Sequence, residues 1–370
     1  MSTTVVVTGA AGPLGRRVCA LIAADPDVAR VVAIDQPGHD AAPGTFAPAG
    51  AAAGPMATVD FHVAELRDPD LKAWCEGASA IVHLGPSEPL DAAGDRALDG
   101  TGSTGADLRG TRDLLAVASD AGVTSLVVLS SAMVYGAWPN NPVPLTEDAP
   151  LRPDPGLAFA VEKAELERLA FEWQQDREDQ GVEVTVAVLR PAVTVAGEST
   201  SWLARSPWSA AGVQVSDAEP PAQFVHLDDV AAAVDTARRG HLDGAFNVAP
   251  DGWIPAEQLR ALSGPAPRVH LPAPVAARVA SLRWAFGLTG TPPSVLSYRV
   301  NPWVVANDRL RAAGWEPQHT NEEAFVEADD GGPLGGLDAK RKQVLSLAAV
   351  GVAVGAVILG AVVLVRRRRR

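Results

Sequence analysis

The sequence predicts a doubly wound parallel α/β sheet followed by a smaller C-terminal domain. Three observations predict it. Short, β-branched apolar runs alternate with stretches of helical spacing through the first half of the chain. A glycine-rich turn sits between the first such run and the first helical stretch. From Pro191 the alternation gives way to proline-rich, tryptophan-containing segments.

Val5 to Val7, Val31 to Ile34, Ala80 to Leu84 and Leu126 to Leu129 are nearly unbroken apolar runs, the pattern of parallel strands buried on both faces. Leu14 to Ala24, Pro69 to Cys75 and Asp107 to Ala121 lie between them at helical spacing, which makes repeated βα units with right-handed crossovers. Val182 to Leu189 reads as a further strand and closes a first domain over residues 1–190. Trp202 to Pro221 and Pro265 to Trp303 belong to a smaller substrate-binding domain, residues 191–326, that covers the cleft of the first. The chain is expected to return to the sheet once in the 224–250 region, through Phe224 to Ala237. No internal repeat is visible.

With 47% hydrophobic and 20% charged residues in 370, most of the chain has the composition of a packed globule rather than a disordered one. Cys19 and Cys75 sit in apolar, helix-like stretches and form neither a disulfide framework nor a zinc pattern, which fits a reducing compartment. No metal site is expected. The net charge of −13 conceals an asymmetry. Before Asp338 the chain holds 23 basic against 43 acidic residues, a body of about −20 that would repel a phosphate backbone, so nucleic acid is excluded as a partner. The opening residues carry no basic segment of a secretory signal and are already committed to the first strand.

Glu327 to Asp338 (EADDGGPLGGLD) has linker composition, and the linker is taken as residues 327–343. Val344 to Val365 then runs for 22 residues without a charge, which at about 1.5 Å per residue spans roughly 33 Å, enough for a bilayer core. Lys340, Arg341 and Lys342 flank it on one side and a polyarginine tail, Arg366 to Arg370, on the other. A buried core helix is the alternative, but a terminal run behind a linker and bracketed by cations reads as a single transmembrane helix. The expected location is the cell membrane. The positive-inside bias slightly favours cytoplasmic arginines; a body with no export signal favours a cytoplasmic body, and the latter is preferred. Gly351 and Gly355 form a GxxxG step able to pair two helices into a homodimer, although in so Gly- and Ala-rich a segment chance explains it equally well.

The chemistry is concentrated in TGAAGPLG, Thr8 to Gly15, directly after a strand and at the start of a helix. Gly9 permits the tight turn, Gly12 lets backbone approach a pyrophosphate, and Gly15 allows close helix–strand packing. Ala11, Pro13 and Leu14 complete the cradle, and the helix N-terminus supplies amide donors and a positive dipole. Asp35 follows at the end of the second strand, 20 residues after Gly15, placed to accept from the adenosine ribose hydroxyls. A carboxylate there repels a 2′-phosphate, so the expected cofactor is NAD in preference to NADP.

TGxxGxxG followed by these segments resembles the extended short-chain dehydrogenases/reductases, the NAD-dependent epimerase/dehydratase group. AELRD (Ala64 to Asp68) is similar to a family segment that would put Glu65 and Leu66 beside the adenine. VHLG (Val82 to Gly85) resembles the strand passing under the cofactor, with Leu84 and Gly85 at its end. DLRGTRDLLAVASDAGV (Asp107 to Val123), SSAMVYG (Ser130 to Gly136), LRPAVTVAG (Leu189 to Gly197), FVHLDDVAAAV (Phe224 to Val234), FNVAP (Phe246 to Pro250) and NDRLRAAGWEP (Asn307 to Pro317) also have counterparts, with Asp107 in place of the usual Asn. The resemblance covers the whole body and leaves out only the tail. It implies NAD as cofactor and a nucleotide sugar or envelope precursor as substrate.

The active site departs from that pattern. The family pairs a Ser/Thr with a YxxxK helix, in which Tyr is the general acid or base and Lys lowers its pKa and holds the nicotinamide ribose. By register the serine is Ser131, and the helix reads FAVEK, so Lys163 is present and Phe159 stands at the tyrosine position. Phenylalanine fills the same space but carries no proton, and a general acid–base group is worth about 10²- to 10⁴-fold in rate. Two hypotheses follow: an epimerase, dehydratase or reductase with a modified site, or a catalytically silent, membrane-anchored NAD-binding sensor or scaffold.

Of the only two tyrosines, Tyr135 belongs to the VYG turn and has no partner lysine at the right spacing, and Tyr298 lies far along in the smaller domain, where only the fold could bring it close. The plainer readings stand beside these. Ser130 and Ser131 end a strand; Lys163 is a surface lysine paired with Glu167 four residues on. Asp228 and Asp229 are helix caps. His83 and His226 are packed and hydrogen-bonded at strand ends. Trp138, Trp202, Trp208 and Trp303 line the core or cleft.

Overall fold

The computed structural model describes residues 3–38, 46, 57–85, 104–195, 212–215, 219–262, 268–285 and 292–330. Val344 to Val365, most of the expected linker, Trp202 and Trp208 lie outside these residues. Among the described residues no helix is long and apolar enough to cross a membrane.

Strands β1 (Thr3–Thr8), β2 (Val28–Asp35), β3 (Thr58–Val63), β4 (Ala78–His83), β5 (Ser125–Leu129), β6 (Thr185–Pro191) and β10 (Gly244–Val248) form one parallel seven-stranded sheet in the order β10-β6-β5-β4-β1-β2-β3. The unbroken apolar runs have a direct physical reason: alternate residues feed two cores. Val5, Val7, Val31, Ala33 and Val82 pack on one face with helix α1 (Pro13–Ala23) and helix α5 (Leu227–Arg239). Val6, Val32, Ile34, Ile81 and Leu126 pack on the other with α2 (Leu71–Cys75), α3 (Thr104–Ala121) and α4 (Ala158–Asp179). Both sides are therefore closed to water, as parallel sheets require.

Two elements differ from the sequence expectation. Thr58–Val63 is an edge strand with no apolar run to announce it, because only one neighbour pairs with it and its side chains stay partly exposed. The return to the main sheet is made by β10, not by Phe224 to Ala237. That stretch is strand β9 (Phe224–His226), which pairs with the short β7 (Val193–Val195), followed by α5.

The smaller C-terminal region contains a two-stranded ladder of β8 (Gly212–Val215) and β11 (Arg268–Leu271), then α6 (Ala256–Leu262), α7 (Ala273–Ala285), α8 (Leu296–Val300), α9 (Asp308–Ala312) and α10 (Asn321–Asp330). It is tied to the sheet half by specific bonds. The Tyr298 hydroxyl donates to the Met133 carbonyl (2.9 Å), Asn301 to Ala137 O (3.1 Å), Asn141 to Pro302 O (2.9 Å), and the Leu145 amide to Val304 O (2.8 Å).

Candidate functional site

Strand order reverses between β1 and β4, so the C-terminal ends of these two strands open a crevice, and the glycine turn lies in it. Gly9 adopts φ +76°, and a methyl group there would meet the Gly85 carbonyl at 3.0 Å. At Gly15 a methyl would meet Gly9 O at 2.1 Å and Ala10 Cα at 2.6 Å, so helix and turn touch backbone to backbone. Helix α1 begins at Gly12 and Pro13 with no side-chain cap and no acid in its first turn. Its first amides and its dipole are thus left facing the crevice, an arrangement suited to a pyrophosphate.

Asp35, buried at the end of β2, accepts from the Ala11 amide through Oδ2 (2.7 Å) and from Gln36 N through Oδ1 (2.8 Å). The carboxylate thereby braces the turn as well as facing the crevice. Glu65 and Leu66 follow β3, whose end is tied to β2 by Ala64 N–H to Asp35 O (2.8 Å). Glu65 is exposed and stands 3.5 Å from Arg67. Leu84 is buried beside β1, its amide 3.2 Å from Thr8 O, and Gly85 lies next to it.

Ser131, Lys163 and Phe159 come together at the end of β5. Ser131 starts a short 3-10 turn (Ala132–Tyr135), and its Oγ accepts the Met133 amide at 3.3 Å. Lys163, 3% exposed, donates from Nζ to Leu129 O at 3.0 Å. A methyl on Gly85 would come within 3.3 Å of that Nζ, so the ammonium reaches the strand end that flanks the glycine turn. Phe159, 8% exposed, lies one helical turn before Lys163, with Nζ 5.7 Å from its ring centroid. The glycine turn, Asp35, Leu84, Gly85, Ser131 and Lys163 therefore share one edge of the sheet.

The plainer reading of Lys163 as the partner of Glu167 does not hold. Glu167, itself buried, accepts a forked pair of bonds from Arg190 (Nη2 to Oε2, 2.6 Å; Nε to Oε1, 3.0 Å) and the Ser130 hydroxyl. The guanidinium outcompetes an ammonium here because it offers two parallel donors. Its Nη1 also donates to the Tyr135 hydroxyl (2.7 Å), which in turn donates to Asn247 Oδ1 (2.8 Å). Burial pushes the Tyr135 phenol up to about 12, against the lowering effect of Arg190. Tyr298, remote in sequence, is brought to Met133, two residues from Ser131. Its hydroxyl is spent on a carbonyl, and burial pushes that phenol up as well. Neither tyrosine replaces the missing one.

His83 lies beneath the crevice between Thr8 Oγ1 (2.7 Å from Nδ1) and Thr111 Oγ1 (3.1 Å from Nε2). Burial, reinforced by the Lys163 charge, holds its pKa down to about 3, so the ring is neutral. The cap of α5 is His226 rather than Asp228 or Asp229: its Nδ1 accepts the Asp228 amide (3.2 Å). Asp229 is buried and accepts the Gln318 and His319 amides, whereas Asp228 pairs with Arg17. Among the described residues no group of three His, Cys, Asp or Glu side chains is placed to hold a metal ion.

One residue escaped the sequence reading. Arg299 of α8 is partly buried, and burial holds its guanidinium below the ordinary value. Among the described residues it makes no ion pair or hydrogen bond, while the adjoining Tyr298 anchors its helix to the Ser131 segment. No local motif marks it.

A parallel sheet reversing at a glycine turn, with an acid at the end of its second strand, defines a Rossmann-like α/β protein. The chain belongs to the NAD-dependent epimerase/dehydratase family, whose model matches residues 5–249. Uncharacterized proteins of Mycobacterium tuberculosis and Mycobacterium bovis are 25% identical over 327 residues, covering 87% of this chain and 82% of theirs. Among solved structures, the UDP-glucose 4-epimerase of Thermus thermophilus in complex with NAD is similar at TM-score 0.62 and 20% identity, covering 89% of this chain and 98% of that one. The dTDP-glucose 4,6-dehydratase DesIV of Streptomyces venezuelae, with NAD bound, gives TM-score 0.62 and 20% identity over 89% and 96%. At this identity the structures show the shared fold.

Proposed function

We propose that this chain binds NAD in the crevice at TGAAGPLG, takes a nucleotide sugar beside it, and performs any epimerase- or dehydratase-type chemistry without the family's tyrosine relay. The observation that carries the reading is Phe159 packed beside Lys163. NAD would supply the hydride acceptor. This chain's own part is to hold the pyrophosphate on the α1 amides and the adenosine ribose at Asp35, with Glu65 and Leu66 beside the adenine. Lys163 would hold the nicotinamide ribose, and Ser131 would offer a hydroxyl to a sugar oxygen. Asp35 disfavours the extra phosphate of NADP by charge. The substrate class is supported by what the named structural relatives bind, and the Arg299 guanidinium, without an ion pair among the described residues, suits a phosphate group.

With no phenol to shuttle a proton, native turnover is feeble. The near neutrality of such a site toward catalysis also supports a second role, an NAD-binding sensor or scaffold, because Lys163 and the glycine turn serve cofactor binding alone. The uncharged run Val344 to Val365 supports a body held at the membrane. Calorimetric titration of the purified full chain with NAD and NADP, followed by turnover over a panel of nucleotide sugars, tests the reading. NAD binding with little turnover is expected; failure to bind either dinucleotide would sink it.

A further inference from the structure

Two bonds converge on Met133, one from each half of the molecule. The Ser131 hydroxyl oxygen accepts its amide at 3.3 Å, and the Tyr298 hydroxyl donates to its carbonyl at 2.9 Å. Amide and carbonyl lie on either side of the Met133 Cα, so the two bonds together restrain its two soft backbone dihedrals. The turn itself is closed by Gly136 N–H to Met133 O (3.0 Å) and Val134 N–H to Ser131 O (3.2 Å). A serine hydroxyl has one hydrogen and two lone pairs. With one lone pair on the Met133 amide, the Ser131 hydrogen is left for an incoming acceptor, and the place of that amide decides how the hydroxyl is held.

Tyr298 is itself rigidly mounted. Its buried ring stands edge-on to Trp303, with centroids 5.1 Å apart and planes at 89°, and the Trp303 Nε1 donates back to Tyr298 O at 3.0 Å. Phenylalanine would fill the same volume, so the hydroxyl adds only the bond to Met133. The residues just before it reach the other limb of the site. Ser294 Oγ donates to Gly156 O (2.8 Å), and Ser297 Oγ lies 3.3 Å from Asp154 Oδ2, both on the loop that leads into α4 with Phe159 and Lys163. One segment of the smaller region, Ser294 to Tyr298, thus touches both limbs.

We infer that Tyr298 is a positioning residue for Ser131, acting through Met133, so that the smaller C-terminal region sets the geometry of the serine. The inference rests on the reading above of Ser131 as the hydroxyl offered to a sugar oxygen. Without the Tyr298 bond the turn still closes through Val134 and Gly136, but Met133 gains freedom and the hydroxyl it holds gains it too. Misplacement of a reacting group lowers rate rather than binding.

Tyr298→Phe keeps the ring and deletes the bond. It is tested alone and together with Ser131→Ala, in the full chain carrying Phe159→Tyr, by turnover of a panel of nucleotide sugars at saturating NAD. Loss of one hydrogen bond should lower kcat by about fivefold or more, with KM and NAD affinity held within about twofold. Added to Ser131→Ala it should lower kcat no further, because the two residues act as one unit. A tyrosine that serves the fold alone would cut kcat by the same factor with or without Ser131, and that result overturns the inference, as does a loss confined to KM or NAD affinity. If the Phe159→Tyr chain turns over no sugar, the reading of the site falls, and amide exchange of residues 131–136 decides the role of Tyr298. Exchange about threefold or more faster in Tyr298→Phe, and equal in the two Ser131→Ala proteins, upholds the coupling of Tyr298 to the serine. Unaltered exchange overturns it.

Discussion

The Lys163 ammonium lies 5.7 Å from the centroid of the Phe159 ring, one helical turn away, at the tyrosine position of the YxxxK pattern. The lysine keeps its place by donating to the Leu129 carbonyl at 3.0 Å, so its geometry does not depend on the missing hydroxyl. The proposed cofactor-holding half of the site is thereby separable from the proton-moving half.

Cofactor binding should depend on the turn before anything else. Gly15→Ala puts a methyl 2.1 Å from Gly9 O, and the neighbours it meets are backbone. Destabilisation of about 1–3 kcal/mol is expected, as for overpacked sites. NAD should no longer raise the melting temperature, which a thermal scan with and without the dinucleotide reads directly.

Asp35→Asn removes the charge while leaving an acceptor for the Ala11 amide. A hydrogen bond to a charged group is worth about 1.5–3 kcal/mol, so NAD affinity should fall on the order of tenfold or more. NADP should lose less or gain. Titration of both dinucleotides against both proteins gives the ratio, and an unchanged ratio would remove Asp35 from the ribose site.

The Glu167–Arg190 pair should be the most sensitive feature of the body to single substitution. Both partners are buried, so Glu167→Gln leaves a guanidinium without its counter-charge, at a cost of about 3–5 kcal/mol. The double replacement Glu167→Leu with Arg190→Met should cost less than the single one. Urea unfolding of the three proteins tests this order.

Acid should destabilise the protein partly through His83. Its folded-state pKa of about 3 lies below the ordinary 6.5, so the unfolded chain takes the proton first as pH falls. The stability held in the neutral ring is complete above 6.5 and is lost progressively down to about 3, at up to about 1.4 kcal/mol per pH unit. Unfolding of native and His83→Gln proteins across that window should show the shallower slope in the variant.

The fold was legible because strands buried on both faces leave unbroken apolar runs, as at Val5 to Val7, and because the glycine turn must sit between strand and helix. Thr58–Val63 was not, since an edge strand with Asp60 and His62 carries no such run. Position 159 was legible from its register with Lys163. The partner of Glu167 was not: Lys163 is adjacent on the helix, while Arg190 reaches it only once β6 is laid beside β5. Tyr298 meets the Ser131 segment at Met133 across 165 residues of chain, a proximity no local pattern encodes.

The most direct test is the turnover of nucleotide sugars at saturating NAD by the native chain and by Phe159→Tyr. The variant places a phenol on a ring whose centroid, in Phe159, stands 5.7 Å from Lys163 Nζ. Feeble native turnover, and a gain of at least about tenfold in the variant toward the 10²- to 10⁴-fold worth of an acid–base group, is the predicted result. Robust native turnover with no gain in the variant would contradict it.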